Sequence, residues 1–110
     1  MAKGPSMLDQ YAEIKDGHPD TILFFRMGDF YEMFYDDAVT AAEVLGITLT
    51  SRDKNSENPV PMAGVPWHSV EGYLQRMLRA GYKVTLCEQA EELQPGEKIL
   101  RRVAMVKVAL

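Results

Sequence analysis

An aromatic ring and a carboxylate stand two residues apart at Phe30 and Glu32, in the segment RMGDFYEMFYDD over residues 26–37. They follow the pair Gly28-Asp29, and β-rich residues flank that pair on both sides, which is typical of a hairpin with a two-residue turn. Alternate side chains of a strand share a face, so Phe30 and Glu32 are expected to project together. The hairpin could therefore present an apolar ring and a hydrogen-bonding carboxylate to a partner at the end of a sheet. The alternative is that Phe30 is an ordinary core residue.

The elements around this hairpin follow from residue patterning. Ser6 with Asp9 resembles a capping box, and it precedes an apolar stripe that predicts a helix ending at Gly17. The hairpin strands are expected over residues 21–27 and 30–35. The hairpin would therefore follow directly on a first helix.

The rest of the chain alternates helical and extended patterns. A second helix is expected with Asp36 as its N-cap and Gly46 as its stop. The Pro- and Gly-rich segment 60–66 is interpreted as an irregular connector. Further expected elements are strands over 47–51, 82–88 and 98–108, a polar loop over 52–58, a helix over about 69–80 and an acidic turn over 90–97. This order predicts an α/β (α+β) fold, a mixed β-sheet of about five to six strands packed with three or more helices.

The composition is that of one ordinary soluble domain. The 110 residues include 46% hydrophobic and 25% charged side chains, which are enough for a single modest core. No apolar run approaches the roughly 18 residues of a membrane span, and the first ten residues lack the apolar core of a secretory signal. A cytoplasmic protein without membrane contact is therefore expected. The lone Cys87 is expected to pack within a strand rather than to react.

Charge is unevenly distributed along the chain. The formal net charge of −4 weighs against strong nucleic-acid binding by this chain alone, because cations that neutralise phosphates supply most of that affinity. Residues 1–37 carry eight acidic and three basic side chains, whereas residues 76–110 carry seven basic and four acidic ones. A basic side is therefore expected in the second half, and any DNA contact should be weak unless other domains contribute.

Three segments resemble one known family, in order and at its spacing. GDFYEMFYDDA at 28–38, PMAGVPWHSVEGYL at 61–74 and GYKVTLCEQ at 81–89 are similar to the N-terminal mismatch-recognition domain, domain I, of the bacterial MutS DNA mismatch repair family. With the links between them, these segments cover about residues 7–103. The resemblance implies the MutS N-terminal domain fold, mismatched double-stranded DNA as a partner, and contacts with the remaining MutS domains or a second MutS subunit.

The resemblance also implies roles for individual residues. The Phe-x-Glu mismatch reader of the family falls on Phe30 and Glu32: the aromatic ring wedges into the minor groove and stacks on the mispaired base, and the Glu hydrogen-bonds that base. An arginine at position 52 would look the same if it were an ordinary surface residue, and segment 60–66 could either hold DNA or only turn the chain. The DNA-backbone contacts implied by the family pattern are Met27, Arg52, Gly64 and Arg101.

Physical chemistry is consistent with the roles of the ring and the carboxylate. An inserted apolar side chain unstacks a base step and kinks the duplex at a cost of roughly a few kcal/mol. The cost is lower at a mismatch because a mispaired step is already poorly stacked and easily bent. Glu32 would either accept a hydrogen bond from a base N–H or be protonated in the complex and donate to a ring nitrogen. The sequence leaves both alternatives open.

Two other classes of function are alternatives. A metal-dependent nuclease would need Asp29, Glu32, Asp36 and Asp37 to converge on Mg²⁺, although strand alternation and a helix start separate these residues. A protein-interaction module that keeps the fold without DNA contact is consistent with the acidic balance. No catalytic residue, metal ligand or cofactor is predicted, because the chain lacks a GxxxxGK[ST] phosphate loop, a supported catalytic triad and a zinc-ligand cluster.

The end of the chain departs from the family pattern. MutS chains usually continue from a basic, Val-rich strand into Thr-Pro-Gly and the connector domain, whereas residues 99–110 are ILRRVAMVKVAL. Arg101 still matches a basic position of the family. The expectation is a single domain over 1–110 without the connector, core, clamp and ATPase domains. ATP and Mg²⁺, which full-length members use in a separate domain, should therefore play no part in this chain, and no enzyme activity is expected.

Overall fold

Three α-helices and six strands make up the part of the chain that a computed structural model describes, residues 6–53, 55–89 and 101–107. A short 3₁₀ turn, Trp67–Ser69, precedes the third helix. None of the helices in these ranges has both the length and the apolar character needed to cross a membrane. The elements are α1 (Met7–Gly17), β1 (Ile22–Met27), β2 (Phe30–Phe34), α2 (Tyr35–Leu45), β3 (Thr50–Arg52), β4 (Val60–Pro66), α3 (Val70–Arg79), β5 (Val84–Gln89) and β6 (Arg101–Lys107).

The strands form one mixed sheet in the order β3-β4-β2-β1-β5-β6, which confirms the predicted α+β class. β1 runs antiparallel to β2 and parallel to β5, and the remaining neighbours pair antiparallel. Because β1 and β5 are parallel, their last residues lie at the same end of the sheet. We call this the hairpin end, since the turn between β1 and β2 at residues 28–29 closes it.

Helices cover both faces of the sheet. On one face, α2 and α3 bury a core that includes Phe24, Tyr31 and Met33. On the other face, α1 packs through Tyr11, whose ring lies 5.1 Å from that of Phe34, centroid to centroid. β1 is therefore buried from both sides, which explains its continuous apolar sequence.

Two predicted helix boundaries that depend on local chemistry are confirmed, the start of α1 and the end of α2. The Ser6 hydroxyl accepts a hydrogen bond from the Asp9 N–H, and the Asp9 carboxylate accepts one from the Ser6 N–H, both at 3.1 Å. This reciprocal capping box satisfies two N–H groups at the start of α1. Gly46 ends α2 in the left-handed conformation, with φ of 66°.

The predicted start of α2 is wrong. The helix begins at Tyr35 rather than after an Asp36 N-cap, and no side-chain cap hydrogen bond is present there. Instead, Asp37 points into the protein, where its carboxylate accepts a hydrogen bond from the Leu23 N–H at 3.0 Å and pairs with Lys15 Nζ at 3.0 Å. The first turn of α2 is thus tied to β1 and α1 by tertiary contacts, which no local pattern encodes.

The segment 60–66, predicted to be an irregular connector, is strand β4, so that prediction is also wrong. It pairs with β2 over Met62–Pro66 and with β3 over Val60–Met62. Pro and Gly are uncommon inside strands, and this composition conceals the strand. β3 covers Thr50–Arg52 instead of 47–51, and β5 begins at Val84 rather than at residue 82. The predicted acidic turn over 90–97 lies outside the described residues.

Candidate nucleic-acid interface

The turn of the predicted hairpin is tight. Met27 pairs directly with Phe30 across the β1–β2 ladder, so the connection consists of Gly28 and Asp29 alone. Gly28 has φ of 60°, a left-handed conformation that glycine adopts without steric cost. The hairpin prediction is confirmed, and Phe30 is fixed as the first residue after the turn.

Phe30 is exposed although it belongs to a largely buried strand. Its side chain is 43% exposed, whereas Phe34 on the same face of β2 is 0% exposed. Tyr31 and Met33 are buried in the opposite face, as the predicted alternation requires. Phe34 packs beneath α1, whereas Phe30 lies at the hairpin end with its ring open to solvent. The ring is therefore available to a partner without any rearrangement of the core.

Glu32 is half-buried next to Phe30 on the same face. It pairs with Phe25 of β1 and with Gly64 of β4, and its carboxyl lies close to Gly64. Burial raises the pKa of the Glu32 carboxyl, and the positive charge of Arg52 acts in the opposite direction. Within the described residues the carboxyl accepts no hydrogen bond that would lower its pKa further. The carboxyl therefore keeps its hydrogen-bonding capacity free within this part of the chain.

Arg26 supports the turn from the other face of the sheet. Its guanidinium lies 4.7 Å from the centroid of the Trp67 ring and pairs with the Glu88 carboxylate at 3.2 Å. Its Nε–H donates to the backbone oxygen of Gly28. This one side chain therefore ties the hairpin turn to the end of β4 and to β5.

Two further hydrogen bonds hold the same end of the sheet. The Trp67 N–H donates to the backbone oxygen of Asp29 at 2.8 Å, and the Tyr31 hydroxyl donates to the Glu88 carboxylate. Burial, followed by that hydrogen bond, raises the pKa of Tyr31 to about 12, so the hydroxyl stays a donor. These contacts hold the backbone at Asp29 and Tyr31, on either side of Phe30. Sequence patterns alone do not connect Arg26 with Trp67, because their proximity depends on β4 being a strand beside β2.

The residues with predicted DNA-backbone contacts lie in different parts of the sheet. Met27 pairs with Phe30 and is partly buried against the α1 core, and Gly64 lies directly opposite Glu32. Arg52 ends β3 opposite Val60, at the far end of the sheet from Phe30, although its charge acts on Glu32. Arg101 begins β6 opposite Gln89, the last residue of β5, which places its backbone at the hairpin end. The contacts themselves stay predictions.

The acidic residues of the nuclease alternative do not form a metal site. Asp37 is 7% exposed and is engaged by Leu23 and Lys15, whereas Asp29 and Asp36 are exposed. Among the described residues, no three carboxylate, imidazole or thiol groups gather closely enough to hold a metal ion. The described residues therefore offer no ligand set for the Mg²⁺ that the nuclease alternative requires.

The fold and this site define a class: a small α+β domain that presents an exposed aromatic ring and a half-buried carboxylate at one end of its sheet. The sequence pattern of MutS domain I matches residues 5–108, and the chain therefore belongs to the MutS domain I family. Proteins similar to it include several that carry the name DNA mismatch repair protein MutS.

The similarity to these relatives extends over most of the chain. The protein of Lawsonia intracellularis is 53% identical over 96 residues, which cover 87% of this chain and 11% of that protein. The protein of Geobacillus sp. (strain WCH70) is 53% identical over 102 residues, which cover 93% of this chain and 12% of that protein. The protein of Lactococcus lactis subsp. lactis is 55% identical over 95 residues, which cover 86% of this chain and 11% of that protein. The chain thus spans about a tenth of the length of the curated relatives that it matches.

Proposed function

We propose that this chain is a mismatched-DNA-binding domain of DNA mismatch repair, in which Phe30 inserts beside a mispaired base and Glu32 hydrogen-bonds that base. The observation that carries the proposal is the exposure of Phe30, 43%, on a face where Phe34 of the same strand is fully buried. Membership of the MutS domain I family and the names of its relatives support the same role.

A wedge must be rigid in order to unstack a base step, which costs roughly a few kcal/mol. Phe30 has this support because it follows a two-residue turn that Arg26 holds through Gly28 and Glu88. A flexible loop would lose ordering entropy on insertion, whereas this hairpin is already ordered. Paired steps resist unstacking more than mispaired ones, so the rigid ring discriminates by the deformability of the duplex rather than by its sequence.

Glu32 is proposed to bind the base as a protonated acid. Burial already raises its pKa, and the phosphates of a bound duplex would raise it further because they disfavour a second negative charge nearby. A protonated carboxyl donates a hydrogen bond to a base ring nitrogen and avoids repulsion by the backbone. Affinity for mismatched DNA should then increase as the pH falls from neutral toward the raised pKa of the Glu32 carboxyl. An ionised Glu32 that accepts from a base N–H predicts the opposite trend.

The remaining contacts belong to the DNA backbone and to other parts of a larger assembly. Met27, Arg52, Gly64 and Arg101 are proposed as backbone contacts, with the two arginines neutralising phosphates. With a net charge of −4, the chain should bind weakly and depend on the remaining MutS domains or a second MutS subunit for most of its affinity. We propose no catalytic step and no cofactor for this chain, and a cytoplasmic, DNA-associated location.

Binding to one duplex with and without a G·T mismatch tests the proposal. At low salt, the unaltered chain should prefer the mismatched duplex, and Phe30→Ala should remove the preference while the protein stays folded. Tyr82→Ala offers a control at another exposed aromatic residue, 37% exposed, which precedes β5 and so lies at the opposite end of the sheet from Phe30. Equal binding of both duplexes by the unaltered chain would favour the protein-interaction alternative, and Mg²⁺-dependent cleavage would favour the nuclease.

A further inference from the structure

Gly64 lies where a side chain would collide with Glu32. A Cβ built on Gly64 would stand 2.9 Å from Cδ of Glu32 and closer still to its Oε2, and real Cβ atoms essentially never approach within 3.0 Å of another atom. The backbone does not demand glycine here, since Gly64 is not among the residues with positive φ. By contrast, Gly28 and Gly46 have positive φ and open space where a Cβ would stand. The neighbouring carboxyl, and not the conformation of β4, therefore accounts for the glycine.

We propose that Gly64 is a positioning residue for Glu32: its missing side chain leaves room for the carboxyl to lie over the β4 backbone, on the same face as the Phe30 ring. This inference rests on the proposed function, in which that carboxyl meets the mispaired base. It gives Gly64 a role through Glu32 that is separate from the predicted contact with the DNA backbone. The two roles make different predictions for a double variant.

The nature of the colliding atoms decides what a substitution does. They are the end of a flexible side chain, so a methyl group at position 64 displaces the carboxyl by rotation about its χ angles and leaves the strand pairing intact. The displaced carboxyl becomes more exposed to water. Burial raises the pKa of this carboxyl, and the charge of Arg52 in β3 lowers it. With less burial, the pKa should fall back toward its ordinary value. Displacement of the acid is therefore measurable without DNA.

Gly64→Ala is the test, with Gly72→Ala as the matched control. Gly72 lies in α3, has ordinary φ and has no atom within 4 Å of a built Cβ. The pKa of Glu32, followed by NMR titration of its carboxyl carbon, should fall in Gly64→Ala and stay unchanged in Gly72→Ala. The preference for a G·T duplex over a paired one should fall by about 3- to 10-fold in Gly64→Ala alone, which corresponds to one misplaced hydrogen bond.

A double variant separates positioning from direct contact. In a Glu32→Ala background, Gly64→Ala should cause no further loss of mismatch preference, because the acid that Gly64 positions is gone. The same additional loss in both backgrounds, or an unchanged Glu32 pKa in Gly64→Ala, would overturn the inference. If Gly64→Ala fails to fold, restored folding in the Glu32→Ala double variant supports the inference and continued failure overturns it. Should the unaltered chain show no mismatch preference, the proposed function fails, but the pKa measurement still tests Gly64.

Discussion

The stability cost of Phe30→Ala should show whether the Phe30 ring is presented to a partner or belongs to the core. Full burial of a Phe side chain contributes about 1.5–3 kcal/mol. Because 43% of Phe30 is exposed, Phe30→Ala should lower the free energy of unfolding by only about 1 kcal/mol, with no closed cavity left behind. Phe34→Ala, four residues further along the same strand and on the same face, removes a ring that is 0% exposed and should cost about 3–5 kcal/mol.

Equilibrium urea denaturation of the unaltered chain and of the two variants measures both costs under the same conditions. The two alanine variants differ by at least about 2 kcal/mol if the ring at position 30 is presented to a partner, and this gap exceeds the usual error of extrapolation. A cost for Phe30→Ala as large as that for Phe34→Ala would show that the ring belongs to the core. That result would remove the main support for a wedge.

Three other predictions follow from the contacts around the site. Asp37→Ala should cost about 2–3 kcal/mol in urea denaturation, because the Leu23 N–H loses its acceptor and Lys15 loses its counter-ion; a cost below about 0.5 kcal/mol would contradict this. Burial raises the pKa of Glu32 in the folded state, so ionisation of this carboxyl destabilises the fold. Glu32→Gln should therefore stabilise the protein relative to the unaltered chain by an amount that grows as the pH rises above about 4. A gain that does not change with pH in thermal melts would refute this prediction. Arg26→Met should reduce mismatch preference in DNA binding while costing only about 1–2 kcal/mol, and an unchanged preference would show that the turn needs no such support.

Local chemistry explains which features the sequence predicts correctly. The capping box at Ser6, the left-handed Gly46 and the two-residue turn at Gly28-Asp29 each depend on a few neighbouring residues. Strand alternation then places Phe30 and Glu32 on one face without knowledge of the rest of the fold. The turn and this alternation are sufficient to predict the candidate site.

The errors arise where contacts between distant segments decide the structure. β4 is a strand because β2 and β3 bind both of its edges, although its Pro and Gly content predicts a connector. The contact of Arg26 with Trp67 becomes visible only once β4 is placed beside β2. The inward turn of Asp37 likewise depends on Leu23 and is not encoded by the helix that contains it. A resemblance can assign a role to Gly64, but only the packed sheet shows what its missing side chain makes room for.

Photo-crosslinking from position 30 tests the central claim most directly. A photoreactive phenylalanine, p-azidophenylalanine, in place of Phe30 should crosslink to the mispaired nucleotide or its direct neighbour, and much less to a fully paired duplex of the same sequence. The same probe in place of Tyr35, which is 46% exposed and follows the other end of β2, serves as the control and should give no mismatch-dependent product. Crosslinks from position 30 that spread along the duplex, or that are equal with and without the mismatch, would contradict insertion of Phe30 at the mispaired base.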